Sequence, residues 1–228
     1  MKPLYESRLF REAADGCLRP GGAALTRRGL ALCGFRSAER VVDVGCGPGV
    51  TLGLLEACGL HGVGVDSSPA MLREARQRSA LPVAAGDMGR LPLRDGSVDG
   101  VICECVLSLA SSVEEALSDM WRVLRPGGQL LLTDIVLREK REGSTGQGCA
   151  AGALQVGDLM QSLCGQGFRI REAEDHSRLL AELAGRLLFQ GVPRADLLAW
   201  MGVPCGGSGC HSSSRLGYWM FVAEKGNE

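Results

Sequence analysis

A hydrophobic strand runs directly into a glycine turn in Val41-Val42-Asp43-Val44-Gly45-Cys46-Gly47-Pro48-Gly49. The β-branched residues favour a buried strand, and glycine at every second position of the turn lets the backbone bend tightly. Residues 50–57 follow at once and favour a helix. A strand, a glycine turn and a helix in this order predict a site where backbone N–H groups approach a ligand closely.

Strands and helices alternate along the rest of the chain. The hydrophobic patterns predict further strands at 61–66, 82–86, 98–103 and 129–136, with helices from 69 to about 79 and from 113 to 124 between them. Alternation with short connections is typical of a parallel sheet covered by helices on both faces, so we expect an α/β fold. The C-terminal third is less regular, with predicted helices at 154–164, 177–190 and 194–201 and strands at 168–174 and 217–224.

Length and composition favour one globular domain over residues 1–228. Within it we expect a helical N-terminal segment (1–37), a core that binds the ligand (38–136) and a variable part on the substrate side (137–228). The 25 basic and 26 acidic residues are balanced, which gives no sign of a nucleic-acid or membrane partner. We therefore expect a small-molecule substrate and a monomer or weak homodimer.

The N-terminus and the cysteines indicate the cytoplasm. The first fifteen residues contain no hydrophobic leader, and no apolar run is long enough to cross a bilayer. The ten cysteines lack regular C-x-x-C pairs, so we expect thiols in a reducing compartment and no metal site.

Acidic residues stand at the ends of three successive predicted strands. In a parallel sheet the ligand crevice lies beyond the carboxyl ends of the strands. Asp66, at the end of the second strand, is suited to accept both hydroxyls of a ribose. Asp87 can accept from an exocyclic adenine amine, and Met88 offers an apolar face to the ring. Glu104 leaves the fourth strand and would face the reactive end of such a nucleoside ligand.

Together these motifs resemble the class I S-adenosylmethionine-dependent methyltransferases over residues 38–136. The resemblance includes the glycine turn, Gly-Val-Asp-Ser-Ser-Pro-Ala-Met-Leu (64–72), Gly-Asp-Met (86–88) and Trp-Arg-Val-Leu-Arg-Pro-Gly-Gly (121–128). It implies a Rossmann-like, mostly parallel seven-stranded sheet with an antiparallel edge strand, for which 217–224 is suitable. The spacing D-x-G-x-G-x-G differs from the G-x-G-x-x-G of nicotinamide-dependent Rossmann enzymes, which argues against that class.

The resemblance also implies a cofactor and its binding residues. The cofactor is S-adenosylmethionine, converted to S-adenosylhomocysteine. The implied binding residues are Asp43, Gly45, Cys46, Gly47, Gly49, Asp66, Ser67, Asp87, Met88 and Glu104. Because the sulfonium is already an activated donor, methyl transfer mainly requires alignment of the acceptor. No histidine lies in these motifs, and we predict no general base.

Two cysteines resemble substrate ligands of arsenite methyltransferases. Cys105 follows the fourth strand, and Cys149 begins Cys-Ala-Ala-Gly-Ala-Leu before the next helix. In those enzymes the thiolates hold trivalent arsenic, whose lone pair attacks the methyl group, and soft thiolates suit such a centre. Cys17 is the best-placed third thiol. Two features depart from that family, since Glu104 stands in place of the usual asparagine and the chain lacks an extended C-terminal region.

Other functions stay open. Cys105 and Cys149 are also compatible with a pocket for an organic metabolite such as a quinone precursor. Cys205, Cys210 and His211 share a glycine-rich loop that could bind a metal or metalloid, cover the site, or carry incidental thiols. A cofactor-binding module without catalytic activity is a further alternative.

Overall fold

The structure, a computed structural model, describes residues 8–14, 16–138, 152–200 and 216–226. The strands are β1 (Arg40–Val44), β2 (His61–Asp66), β3 (Val83–Ala85), β4 (Val98–Glu104), β5 (Leu124–Leu137), β6 (Phe168–Asp175) and β7 (Leu216–Lys225). The helices are α1 (Arg8–Ala13), α2 (Gly22–Cys33), α3 (Val50–Ala57), α4 (Pro69–Arg78), α5 (Val113–Val123), α6 (Val156–Gly165), α7 (Ser177–Phe189) and α8 (Arg194–Trp200), with a short 3₁₀ turn at Leu107–Leu109.

The strands form one seven-stranded sheet in the order β3-β2-β1-β4-β5-β7-β6. β1, β2, β3, β4 and β5 pair in parallel, whereas β7 is antiparallel to both of its neighbours. This confirms the predicted fold class. The antiparallel strand itself lies one place in from the edge, because β6 pairs with its outer side.

Both faces of the sheet are covered. One hydrophobic core lies between the sheet and the helices α1, α2, α3, α4, α7 and α8, and it contains residues such as Leu25, Leu52 and Leu183. The other lies beneath α5 and α6, with Leu117 and Leu163. β1 is buried along Val41 to Val44, because its alternate side chains enter opposite cores.

Local sequence signals set several helix boundaries. Ser68 caps α4 by accepting from the N–H of Met71, and Pro69 occupies the first helical position. Ser112 caps α5 in the same way, accepting from the N–H of Glu115. α5 ends at Val123, and β5 begins at Leu124, five residues before the predicted start of this strand at 129.

The order of the sheet positions a ligand crevice. β1 has β2 on one side and β4 on the other. The strands up to β3 are therefore added on one side of β1, and those from β4 onward on the other, so the strand order reverses next to β1. Ligands of open α/β sheets bind beyond the carboxyl ends of strands at such a point. The turn after β1 lies there.

Candidate active site

A cavity of about 320 Å³ opens at the carboxyl ends of β1, β2, β3 and β4. Its walls come from the glycine turn, the ends of β2, β3 and β4, and the N-terminal segment before α2. The lining residues include Cys17, Leu18, Arg19, Gly45, Cys46, Gly47, Asp66, Ser67, Asp87, Met88, Glu104, Cys105, Val106 and Leu109. The cavity thus contains eight of the ten predicted cofactor-binding residues and two of the three predicted substrate thiols.

The glycine turn packs closely against the segment after β4. A Cβ atom on Gly45 would lie 2.6 Å from both methyl carbons of Val106, and the φ angle of Gly45 is 69°. A side chain here would meet both a steric and a conformational penalty. Gly49 has a different role, because it begins α3 and its missing Cβ would lie 3.0 Å from Ala75 of α4. Gly49 therefore brings two helices together and does not line the cavity.

Asp66 is held by two backbone N–H groups. Its Oδ2 accepts from the N–H of Gly47 at 2.9 Å, and its Oδ1 accepts from the N–H of Ser68 at 2.7 Å. Each carboxylate oxygen keeps a further lone pair for a ligand. The side chain is half-buried and lines the cavity beside Ser67, so it presents a fixed acceptor to hydroxyl groups.

Asp87 and Met88 line the cavity at the end of β3. Asp87 is exposed, and its Oδ1 accepts from the N–H of Gly89 at 2.8 Å. This short turn leaves the other carboxylate oxygen available, while Met88 provides apolar surface next to it. The pair offers a polar edge and an apolar face, as the sequence predicts.

Asp43 lies beneath the cavity and does not line it. Only 3% of the residue is exposed, and its Oδ2 has no hydrogen-bond partner among the described residues. Burial and the neighbouring carboxylate of Glu104 raise the pKa of Asp43 to about 8, although Arg19 opposes the shift. Asp43 can therefore touch a ligand in this cavity only after a local rearrangement.

Glu104 belongs to a buried polar cluster. Its Oε2 lies 2.8 Å from Arg19 Nη2, and it also accepts from the hydroxyls of Thr26 and Thr51 at 2.9 and 3.0 Å. The sequence did not identify Arg19, Thr26 or Thr51 as site residues. No local motif marks them, because Thr26 lies 78 positions before Glu104 in the chain.

Two predicted thiols share the cavity. Cys17 and Cys105 both line it, and 0% and 8% of these residues is exposed. Cys105 has a φ angle of 59°, unusual for a residue with a side chain and often seen at functional sites. Cys46 also lines the cavity, and burial raises its pKa above the usual range of a thiol. Cys149, Cys205, Cys210 and His211 lie outside the described residues.

The two described histidines lie away from the cavity. His61 is exposed at the start of β2, at the opposite end of the sheet. His176 contacts Glu174 at 2.8 Å. Neither is among the described residues that line the cavity.

A sequence profile described as a methyltransferase domain matches residues 42–132. This stretch is a methyltransferase domain. It runs from β1 into β5 and includes the glycine turn, Asp66, Asp87, Met88 and Glu104.

Curated relatives of the methyltransferase domain act on different acceptors. Arsenite methyltransferase of Halobacterium salinarum is 34% identical over 157 residues, which are 62% of this chain and 40% of that protein. Demethylmenaquinone methyltransferase of Beutenbergia cavernae is 39% identical over 109 residues, 47% of this chain and 45% of the relative. Malonyl-[acyl-carrier protein] O-methyltransferase of Serratia marcescens is 33% identical over 150 residues, 63% of this chain and 53% of the relative. The chain thus spans about half, or less, of the length of these relatives.

Solved structures share the fold of the methyltransferase domain across nearly the whole chain. A [4+2]-cyclase has a TM-score of 0.77 at 23% identity, covering 96% of this chain and 93% of its own. Phosphoethanolamine N-methyltransferase 2 of Haemonchus contortus, in complex with S-adenosylmethionine, has a TM-score of 0.75 at 18% identity, covering 96% and 56%. At such identities the likeness describes the fold alone.

Among the described residues, no helix is long and apolar enough to cross a membrane. Within the same part of the chain, no group of three or more His, Cys, Asp or Glu side chains is placed to hold a metal ion.

Proposed function

We propose that this protein is an S-adenosylmethionine-dependent methyltransferase whose acceptor is a thiophilic metalloid such as arsenite. One observation carries the proposal: the cavity that contains the glycine turn, Asp66 and Asp87 also contains Cys17 and Cys105. The arsenite methyltransferase among the relatives supports the same acceptor.

The residues of the cavity fit the cofactor. Asp66 is pre-oriented by the N–H groups of Gly47 and Ser68 and offers acceptors to the ribose hydroxyls. Asp87 and Met88 suit the amine and the ring of adenine. A side chain at Gly45 would clash with Val106, so glycine is needed for the close approach of this turn to the segment after β4. Cys46 and Ser67 complete the same wall.

When bound, S-adenosylmethionine supplies an activated methyl group, whose bond to sulfur breaks as the acceptor's lone pair forms the new bond. The chain binds the nucleoside, orients the acceptor and limits access of water. The N-terminal segment contributes through Leu18, which lines the cavity and is half-buried. Trivalent arsenic carries a lone pair and no proton, so its methylation requires no general base.

The acceptor would be bound by thiolates. Cys17, from the N-terminal segment, and Cys105, directly after β4, supply two sulfur ligands, and we assign Cys149 as the third. Thiolates are soft ligands that select soft centres. Two or three of them bind arsenic more tightly than one, because each further bond forms within the same complex.

Product formation tests this assignment. The protein is incubated with S-adenosylmethionine, arsenite and a thiol, and methylated arsenicals are separated by chromatography and detected by mass spectrometry. We expect Cys105→Ser and Cys149→Ser each to lower turnover about tenfold or more. The exposed Cys58→Ser serves as the matched control. Unchanged turnover in both active-site variants would exclude the thiolate assignment.

A quinone precursor is the second candidate acceptor. The demethylmenaquinone methyltransferase among the relatives supports it, as does the apolar surface that Leu18, Val106 and Leu109 give the cavity. Assay with a demethylated naphthoquinol in place of arsenite distinguishes the two. Methylation of the quinol, insensitive to Cys105→Ser, would favour this candidate.

A fold of this kind also occurs in a protein described as a [4+2]-cyclase, so cofactor binding must be measured separately from turnover. Binding of S-adenosylhomocysteine without methyl transfer to either acceptor would favour a module that binds the cofactor without using it.

A further inference from the structure

A buried ion pair joins the N-terminal segment to the end of β4. Arg19 and Glu104 form it, and 10% and 3% of their side chains are exposed. The hydroxyls of Thr26 in α2 and Thr51 in α3 donate to the same carboxylate. Arg19 Nη2 lies within hydrogen-bond distance of both hydroxyl oxygens. Four side chains from separate parts of the chain therefore fix one another.

Each member of the ion pair is close in sequence to a cavity thiol. Cys17 lies two residues before Arg19, and Cys105 directly follows Glu104. Both thiols line the same cavity. Because one residue of chain spans only about 3.3–3.6 Å, fixing Arg19 against Glu104 also restricts the positions open to Cys17 and Cys105.

In the segment that carries Cys17, the N–H of Cys17 donates to the carbonyl of Ala14 at 3.0 Å. This segment lies between two glycines. Gly16 and Gly21 flank it, with φ angles of 80° and 76° in the left-handed region that glycine tolerates. Between them the chain follows no regular helix or strand. Arg19 and Glu104 line the same cavity as Cys17 and Cys105. The two thiols thus border one polar cluster.

We propose that Arg19 and Glu104 are positioning residues that assemble Cys17 and Cys105 into one two-thiol acceptor site. This rests on the proposed function and extends it to residues outside the thiols themselves. It also gives a reason for glutamate at position 104, where the resembling arsenite enzymes have asparagine. A neutral amide there would leave the buried guanidinium of Arg19 without its counter-charge.

Phenylarsine oxide is a direct probe of the two-thiol site. Two thiols displace its oxygen as water and form two arsenic–sulfur bonds, while arsenic stays trivalent, so no oxidant or reductant is consumed. Excess 2-mercaptoethanol competes with adducts on single thiols such as the exposed Cys58 and Cys164. Binding that survives this competition reports a pair of thiols held together.

The informative variant removes both charges. Arg19→Met or Glu104→Gln alone leaves the other charge buried and unpaired, which can prevent folding. The double variant Arg19→Met/Glu104→Gln avoids that and keeps similar side-chain volumes. We expect cooperative thermal unfolding to persist, while the dissociation constant for phenylarsine oxide rises about tenfold or more. The single variant Arg19→Lys keeps a positive charge opposite Glu104, so its affinity for phenylarsine oxide should lie between those of the wild type and the double variant. Arg27→Met, at an exposed arginine, is the matched control.

The outcomes separate the two proposals. Cys17→Ser and Cys105→Ser should each abolish the competition-resistant binding. If either variant binds phenylarsine oxide as the wild type does, the acceptor site is wrong, and the positioning role falls with it. If both thiol variants lose binding but the double charge variant keeps wild-type affinity, the acceptor site stands and the positioning role is overturned.

Discussion

Asp43 makes the stability of the fold depend on pH. Its pKa of about 8 lies above the ordinary value of 3.8, so the folded chain binds this proton more tightly than the unfolded chain. The stabilisation is fully present below pH 3.8 and is lost as the pH rises through about 8. Burial also raises the pKa of Asp134, to about 6, so the range above about pH 6.5 isolates Asp43.

We therefore expect the wild-type free energy of unfolding to fall by about 2 kcal/mol between pH 6.5 and 8, relative to Asp43→Asn. The amide of the variant stays neutral over this range and removes the dependence. Urea unfolding at several pH values measures the difference. Parallel pH profiles for the two proteins would show that Asp43 is ionised in the folded state throughout.

Gly45 is the residue of the glycine turn with the tightest contact to the segment after β4. Its absent Cβ would lie 2.6 Å from Val106, so Gly45→Ala should lower the free energy of unfolding by about 1–3 kcal/mol. It should also weaken binding of S-adenosylhomocysteine, because the turn lines the cavity. Denaturant unfolding and calorimetry measure the two effects.

The double variant Gly45→Ala/Val106→Ala provides the control for that substitution. It removes the two methyl carbons at 2.6 Å, leaves the Cβ of residue 106 at 3.0 Å and keeps the strained φ angle, so stability should recover in part. Full stability in Gly45→Ala itself would mean that Val106 moves aside without cost.

The residues that line the cavity at the strand ends were predictable from the sequence, whereas the buried polar cluster around Glu104 was not. Asp66, Asp87 and Met88 follow predictable strands, and the carboxyl ends of parallel strands meet at one edge. Arg19 has no such marker, because its role comes from a partner at the end of β4. Gly49 shares the spacing of Gly45 and Gly47, yet the contact with Ala75 that explains it involves another helix.

At the level of elements, the packing of α2 on the sheet depends on Gly29. A Cβ atom there would lie 2.5 Å from Leu131 of β5. Gly29→Ala should therefore destabilise the protein by about 1–3 kcal/mol through overpacking, measured by urea unfolding.

Gly53 in α3 is the matched control for that substitution, because no atom lies within 4 Å of its Cβ position. Gly53→Ala should stabilise by about 0.5–1 kcal/mol, since alanine favours a helix. Equal effects at the two positions would contradict the close approach of α2 to β5.

The elements themselves were largely predictable. The hydrophobic pattern of β1 and the capping residues of α4 specify their own structure locally. The position of β7 between β5 and β6 was not predictable, because strand order depends on contacts among three distant segments. Both neighbours of β7 are antiparallel to it, and no local signal distinguishes this place from the edge.

Across the whole molecule, the cofactor side and the acceptor side of the cavity differ in how they are encoded. The residues proposed to bind the cofactor fall within the methyltransferase domain at 42–132. The proposed acceptor thiols come from the N-terminal segment, from the residue directly after β4 and from the sequence beyond β5. Their assembly depends on the fold of the entire chain, which is why the resemblance predicted the cofactor more firmly than the acceptor.

Binding of S-adenosylmethionine through Asp66 is the property on which the proposed roles of the other cavity residues depend. Isothermal calorimetry with S-adenosylmethionine and S-adenosylhomocysteine tests it most directly, on the wild type and on Asp66→Asn. We expect one ligand per chain, with affinity about tenfold or more weaker in Asp66→Asn, because hydrogen bonds from the ribose hydroxyls to a charged carboxylate are lost. No binding of either ligand to the wild-type protein would contradict the account.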